Sequence, residues 1–254
     1  GKEKIIIKTL KPYLKNNRII SIIGTAKNAG KTTVLNQIIS EYKNDKIAIT
    51  SIGLDGEKID NVTYLEKPRI KLYQGMLFAT AEKCLEETDV SFIIHEKTKI
   101  STALGKIVIA EVLSEGRVLI AGPSTNTNMK KVITRLQKYN PRKILIDGAL
   151  FRKSIATTRL VDAIILATGA SYSNDINIVV NDTKNIVDQL SLKTIDYVGN
   201  VDVRTLKKSS FVNDKTNEIV TIEGSLVATE ERIRIYLTNF KYLFLSGALT
   251  DRII

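Results

Sequence analysis

The segment Ser21-Ile-Ile-Gly-Thr-Ala-Lys-Asn-Ala-Gly-Lys-Thr-Thr33 constrains the fold of this chain more than any other stretch of it. The apolar run Arg18-Ile-Ile-Ser-Ile-Ile23 leads into it, and Val34, Leu35, Ile38, Ile39 and Tyr42 follow at helical spacing. Strand, glycine-bearing loop and helix in that order are the context in which Gly30-Lys31-Thr32 reads as a phosphate loop. In the pattern G-x-x-x-x-G-K-[ST] the first glycine would fall at Thr25, whereas here it stands one place earlier, at Gly24. The reading therefore requires that the backbone at Thr25 need no glycine-only angles.

Such a loop works by curling successive backbone N–H groups around an oxyanion at the positive end of a helix. The expected cradle comprises Gly24, Lys27, Asn28, Ala29, Gly30, Lys31, Thr32 and Thr33. Lys31 would reach the outer phosphates and the Thr32 hydroxyl would hold Mg²⁺. Lys27 lies inside the loop and either adds charge there or points into solvent. A second carboxylate is needed to hold Mg²⁺ through water, usually at the end of a neighbouring apolar strand. Asp147, preceded by Ile144-Leu-Ile and followed by Gly148, fits that place. Asp55 and Glu57, in the turn after the second strand, are its rivals, able to ligate the metal or orient water. Ser124 and Ser171 follow strand ends and are candidates for the same cleft, and Arg152 and Lys153 could reach an anionic ligand. Asn181-Asp-Thr-Lys184 has the letters of the guanine box N-K-x-D in the wrong order, so ATP is preferred over GTP by absence alone.

With 254 residues the chain can build one large α/β domain, or one domain with a small appendage. The division expected is a leader over residues 1–17 and a phosphate-loop domain over 18–254. No apolar run is long enough to cross a membrane, and the basic start lacks a signal-peptide core. One cysteine, Cys84, cannot make an internal disulfide, and one histidine, His95, leaves no zinc cluster to build. A cytoplasmic location is the expectation. The formal charge of +11 comes from lysines scattered along the chain, with no basic block interleaved with aromatics and no Trp. Anionic ligands suit that charge, but dedicated nucleic-acid binding is not expected.

Along the chain, residues 3–15 carry apolar residues at helical spacing interrupted by Pro12, and residues 30–43 read as the loop helix. Residues 46–52 read as a second buried strand, parallel to the first. Lys67-Pro-Arg-Ile70 reads as a break, and 75–87 as a helix carrying Met76, Leu77, Ala81 and Cys84. Residues 90–95 read as a strand, while 106–113 and 117–121 flank Ser114-Glu-Gly116 as a hairpin. This places a β-rich antiparallel insertion around 90–122. Further elements are a helix over 127–139, strands over 143–147 and 162–167, and a helix over 174–190. A helix over 230–240 and a strand over 242–246 close the pattern. The sum is an α/β chain: a three-layer phosphate-loop NTPase with a mainly parallel sheet and an antiparallel insertion.

Gly24-Thr-Ala-Lys-Asn-Ala-Gly-Lys-Thr-Thr33, Thr50-Ser-Ile-Gly-Leu-Asp-Gly-Glu57, Leu119-Ile-Ala-Gly-Pro-Ser124, Ile146-Asp-Gly-Ala-Leu150 and Ile165-Leu-Ala-Thr-Gly-Ala170 together resemble the P-loop subunit of the lysine 5,6-aminomutase reactivase. The resemblance covers most of residues 18–172. It implies a chaperone-like ATPase that acts with a MutS-like partner ATPase on an adenosylcobalamin-dependent aminomutase. Hydrolysis would open the mutase so that spent cobalamin leaves. Two other classes use the same loop: a metabolic kinase or ligase of the dethiobiotin-synthetase type, and a nucleotide-binding scaffold that does not hydrolyse. Self-association of the chain is left open by the sequence.

Overall fold

Apolar residues of the central strands in the larger unit alternate between two clusters, and that alternation sets the layers. The computed structural model describes residues 9–52, 69–148, 160–191, 195–223 and 240–244. They divide into two compact units, 1–150 with 156–185, and 151–155 with 186–254.

The first unit contains α1 (Lys11–Leu14), β1 (Ile19–Gly24), α2 (Lys31–Glu41), β2 (Ala48–Ser51), β3 (Ile70–Leu72) and β4 (Leu77–Ala81). Next come β5 (Phe92–Thr102), β6 (Gly105–Val112), β7 (Gly116–Val118), α3 (Asn126–Gln137), β8 (Ile144–Asp147) and β9 (Ala163–Ala167). α4 (Ile176–Leu190) follows and crosses the division between the units. Seven strands form one sheet in the order β5-β6-β4-β2-β8-β1-β9. The pairs β4–β2, β2–β8, β8–β1 and β1–β9 are parallel, and β6 runs antiparallel to both β4 and β5.

Ile20, Ile22, Ile49, Phe78, Ala110 and Leu145 face the cluster that takes in Leu35, Ile38, Ile39 and Tyr42 of α2. Their neighbours Ala48, Leu77, Ala79, Ile109, Ile144 and Ile146 face the other cluster, with Met129, Val132, Ile133 and Leu136 of α3. Helices thus cover both faces of a mainly parallel sheet, and strands buried on both sides are apolar at nearly every position. Val34, expected on the buried face of α2, packs only partly against that core.

Several expectations from the sequence fail here. The segment read as a helix over 75–87 is strand β4 followed by a 3₁₀ turn at Glu82–Glu87, where Cys84 is buried. The hairpin proposed around Ser114-Glu-Gly116 does not form. β6 instead pairs with β5 through a two-residue turn at Ala103-Leu104, while β7 pairs with β3 in a separate two-stranded sheet. Ile70, read as part of a break, opens β3, and residues 119–121 are outside any strand. The antiparallel insertion itself is present, as the β5–β6 edge.

Buried hydroxyls hold segment 119–122 against the carboxyl ends of β2 and β4. Ser51 Oγ donates to the Ile120 carbonyl and accepts from Gly122 N–H. Thr80 Oγ1 donates to the Leu119 carbonyl and accepts from Ala121 N–H, and Thr50 Oγ1 donates to the Ala79 carbonyl. Gly122 lies so close that a Cβ would overlap the Ser51 carbonyl oxygen.

At the opposite edge, the Glu41 carboxylate at the end of α2 accepts from Thr9 Oγ1 and from the backbone N–H groups of Leu10 and Lys11. Those N–H groups begin α1, where a carboxylate is favoured. Lys143, just ahead of β8, is buried and donates to the carbonyls of Leu14, Lys15 and Asn17 at the other end of α1. Burial pulls its ammonium below the ordinary lysine value. Pro12 is accommodated because α1 is so short that proline falls in its first turn.

The second unit contains β10 (Tyr197–Val198), β11 (Val201–Asp202), β12 (Ser210–Val212), β13 (Ile219–Thr221) and β14 (Tyr242–Phe244). β10 and β11 form an antiparallel hairpin, and β12 is flanked by β13 and β14, both antiparallel to it. Val198, Val203 and Val212 form one small core, Phe211 and Phe240 another. The helix read over 230–240 lies almost wholly outside the described residues. No described helix is long and apolar enough to cross a membrane.

Candidate functional site

The chain leaves β1 toward β2 in one direction along the sheet and leaves β8 toward β9 in the other. Where strand order reverses like this, a crevice opens at the carboxyl ends of the strands. β1 and β8 are adjacent there, with Ile22 beside Asp147 in register. The loop after β1 and the aspartate ending β8 therefore meet by topology, although 114 positions separate Thr33 from Asp147 in the sequence.

The loop is curled, not extended. Ala29 N–H donates to the Ala26 carbonyl, and Asn28 and Gly30 take left-handed backbone angles, φ 65° and 90°. Asparagine tolerates that region, and at Gly30 a side chain would be strained. Thr25 is absent from the residues with positive φ, so the displaced glycine leaves no strain at that position. Gly24 has a different role: a Cβ there would touch the Ala26 carbonyl and Lys31 Cβ only at ordinary contact distance.

Val34 N–H, which donates to the Gly30 carbonyl, is the first amide of α2 with a helical partner. Among the described residues, the N–H groups of Lys27, Asn28, Gly30, Lys31, Thr32 and Thr33 have no acceptor. Six unpaired donors around one turn, at the positive end of a helix, form an anion cradle. Lys27, Asn28 and Thr33 are exposed, and Ala29, Gly30, Lys31 and Thr32 are half-buried.

Lys31 Nζ lies 2.8 Å from Asp147 Oδ1, with the two side chains 33% and 15% exposed. No hydrogen bond of acceptable angle reaches that buried oxygen, so the contact is an ion pair by proximity only. The oxygen keeps an unmet acceptor. The Thr32 hydroxyl likewise has no protein partner among the described residues. One carboxylate oxygen and one hydroxyl suit Mg²⁺, which keeps several waters and takes one or two protein oxygens beside a phosphate. Among the described residues no group of three or more His, Cys, Asp or Glu could form an all-protein metal cage.

Hydroxyl contacts that the sequence reading missed fasten the loop. Thr25 N–H donates to the Ala167 carbonyl at the end of β9, and Thr25 Oγ1 lies 3.0 Å from Thr168 Oγ1. Thr183 of α4 adds its own hydroxyl to Thr168 at 3.1 Å. Ser21 Oγ donates to the Gly148 carbonyl, tying β1 to the turn after Asp147. Only the pairing of β1 with both β8 and β9 brings these groups together, and nothing local in the sequence announces it.

Of the other predicted residues, Ser124 stands half-buried ahead of α3 and Ser171 is exposed after β9. Neither makes a hydrogen bond to the loop among the described residues. Asp55, Glu57, Arg152 and Lys153 lie outside the described residues. Cys84 and His95 take no part in the site: His95 pairs with Glu111 and stacks on Tyr139.

Comparison with protein-family models, with curated proteins and with solved structures finds no match to this chain.

Proposed function

We propose that this chain binds ATP with Mg²⁺ at the loop from Gly24 to Thr33 and hydrolyses its outer phosphate bond. The observation that carries the proposal is the Lys31–Asp147 pair at the carboxyl ends of adjacent strands, beneath a loop of unpaired amides. Backbone N–H groups of Lys27, Asn28 and Gly30 to Thr33 would hold phosphate oxygens, and Lys31 would turn from Asp147 to the outer phosphates. Thr32 and, through water, Asp147 would hold the metal. Bound Mg²⁺ would neutralise charge on the outer phosphates. Asp55 and Glu57 remain the candidates for orienting the attacking water. Phosphoryl transfer to a small-molecule acceptor finds less support, since neither Ser124 nor Ser171 hydrogen-bonds to the loop among the described residues.

The reading extends, by resemblance, to a subunit of an ATP-dependent reactivating factor for an adenosylcobalamin-dependent aminomutase, working with a MutS-like partner ATPase in the cytoplasm. Slow basal hydrolysis that rises when the cobalamin-inactivated mutase is added is the expected behaviour. A rate indifferent to the mutase removes the reactivase reading and leaves nucleotide binding intact. The test of nucleotide binding is calorimetric titration of MgATP into the chain and into Lys31→Ala. Affinity should fall at least a hundredfold, and equal affinities would remove Lys31 from the phosphates.

A further inference from the structure

The described residues contain a second concave site, on the opposite flank of the first unit. A cavity of about 400 Å³ is lined by Lys99, Ile100 and Ser101 of β5 and Asn128, Lys131 and Arg135 of α3. β5 is five strands from β1 in the sheet order, roughly 24 Å at about 4.8 Å per strand. The cavity is therefore separate from the phosphate loop.

Its lining has three cations and no carboxylate. Arg135 is matched by Glu96 in an ion pair. Lys99 and Lys131 have no carboxylate partner among the described residues, and the nearby Lys97 is taken by Glu82 at 3.7 Å. α3 carries Lys130, Lys131 and Arg135 and not one acidic residue, so no intrahelical pair offsets this charge. The Ser101 hydroxyl and the Asn128 amide add neutral donors to the same lining.

Unpaired like charges lining a concavity repel one another, and a bound anion relieves that repulsion while gaining charge-assisted hydrogen bonds. The volume is in the range of small-molecule sites. No aromatic side chain lines it, so the stacking platform typical of single-stranded nucleic-acid binding is missing. We propose that the groove between β5 and α3 is a second anion site, taking a small molecule with at least two negative charges on phosphate or carboxylate groups through Lys99, Lys131 and Arg135.

The test uses the full chain carrying Lys31→Ala, which weakens the first anion site, titrated calorimetrically with pyrophosphate and separately with citrate. Binding of either supports the site, and the stronger of the two identifies its preferred group. Adding Lys99→Gln with Lys131→Gln should lower that affinity at least tenfold. Removing the same charge outside the groove, with Lys130→Gln and Lys138→Gln, should change it less than twofold. On the unaltered chain, pyrophosphate should shift the NMR signals of the Ser101 amide and the Asn128 side-chain amide. That measurement decides the matter should the combined variant not fold. Neither anion binding, no shift at Ser101 and Asn128, or an equal loss in the equal-charge control each overturns the proposal.

Discussion

Replacing Asp147 by asparagine separates two roles of its carboxylate, with effects of opposite sign. Lys31 Nζ and Asp147 Oδ1 lie 2.8 Å apart, and Lys31 is 33% exposed. At such a separation Coulomb's law with an effective dielectric near 20 gives about 6 kcal/mol. Solvent at Lys31 and the desolvation of both groups bring the net value down to about 1–2 kcal/mol. On the proposed reading, ATP arriving without metal would have to draw Lys31 off the carboxylate and then lie beside that negative charge. Asp147→Asn removes both penalties, so affinity for metal-free ATP should rise about tenfold, equivalent to about 1.4 kcal/mol. With Mg²⁺ present the same change replaces a charged acceptor for a metal-bound water by a neutral amide, and hydrolysis should fall ten- to hundredfold, the usual effect of weakening an outer-shell partner. Titration calorimetry in EDTA and in Mg²⁺, with a phosphate-release assay, reads both effects. Weaker metal-free binding in the variant, or undiminished hydrolysis, would refute the reasoning.

Gly122→Ala should destabilise the first unit by about 3 kcal/mol, since the new methyl overlaps the Ser51 carbonyl in a packed region. Urea unfolding measures it, and a loss under about 0.5 kcal/mol would mean that segment 119–122 is not seated on β2. Hydrogen bonding from His95, and charge from Lys46, hold the Glu111 carboxyl below its ordinary 4.5 against the opposing effect of burial. A depressed carboxylate contributes stability in full above its unfolded value and loses it as pH falls through the folded one. Stability of the parent should therefore drop below about pH 4.5 more steeply than that of Glu111→Gln, and superimposable acid limbs in urea titrations would exclude the contribution.

The elements around the site were legible because their signals are local. β1, β2, β8 and β9 are short apolar runs, and α2 and α3 carry apolar residues every three or four positions. The place of Asp147 at the end of a strand was legible too, because an apolar run leads into it. The errors arose where partners decide. Met76, Leu77, Ala81 and Cys84 are spaced like a helix face, and the small Ala79 and Ala81 mask the alternation that buries Leu77, Ala79 and Ala81 in one cluster. Ser114-Glu-Gly116 resembles a hairpin turn, but β7 finds its ladder on β3, more than forty residues earlier. The Thr25–Thr168–Thr183 hydroxyls were invisible because three separate elements supply them.

α2 runs from Lys31 to Glu41, eleven residues and about 16 Å long. Glu41 grips the backbone of Leu10 and Lys11, and Lys143, ahead of the strand that ends in Asp147, grips the other end of the same short helix. One leader thus spans the tail of the lysine's helix and the root of the aspartate's strand. If the loop captures phosphate as proposed, a fluorophore attached at Thr9 would sit on the far end of that helix and strand, where it would register the event without touching the cleft.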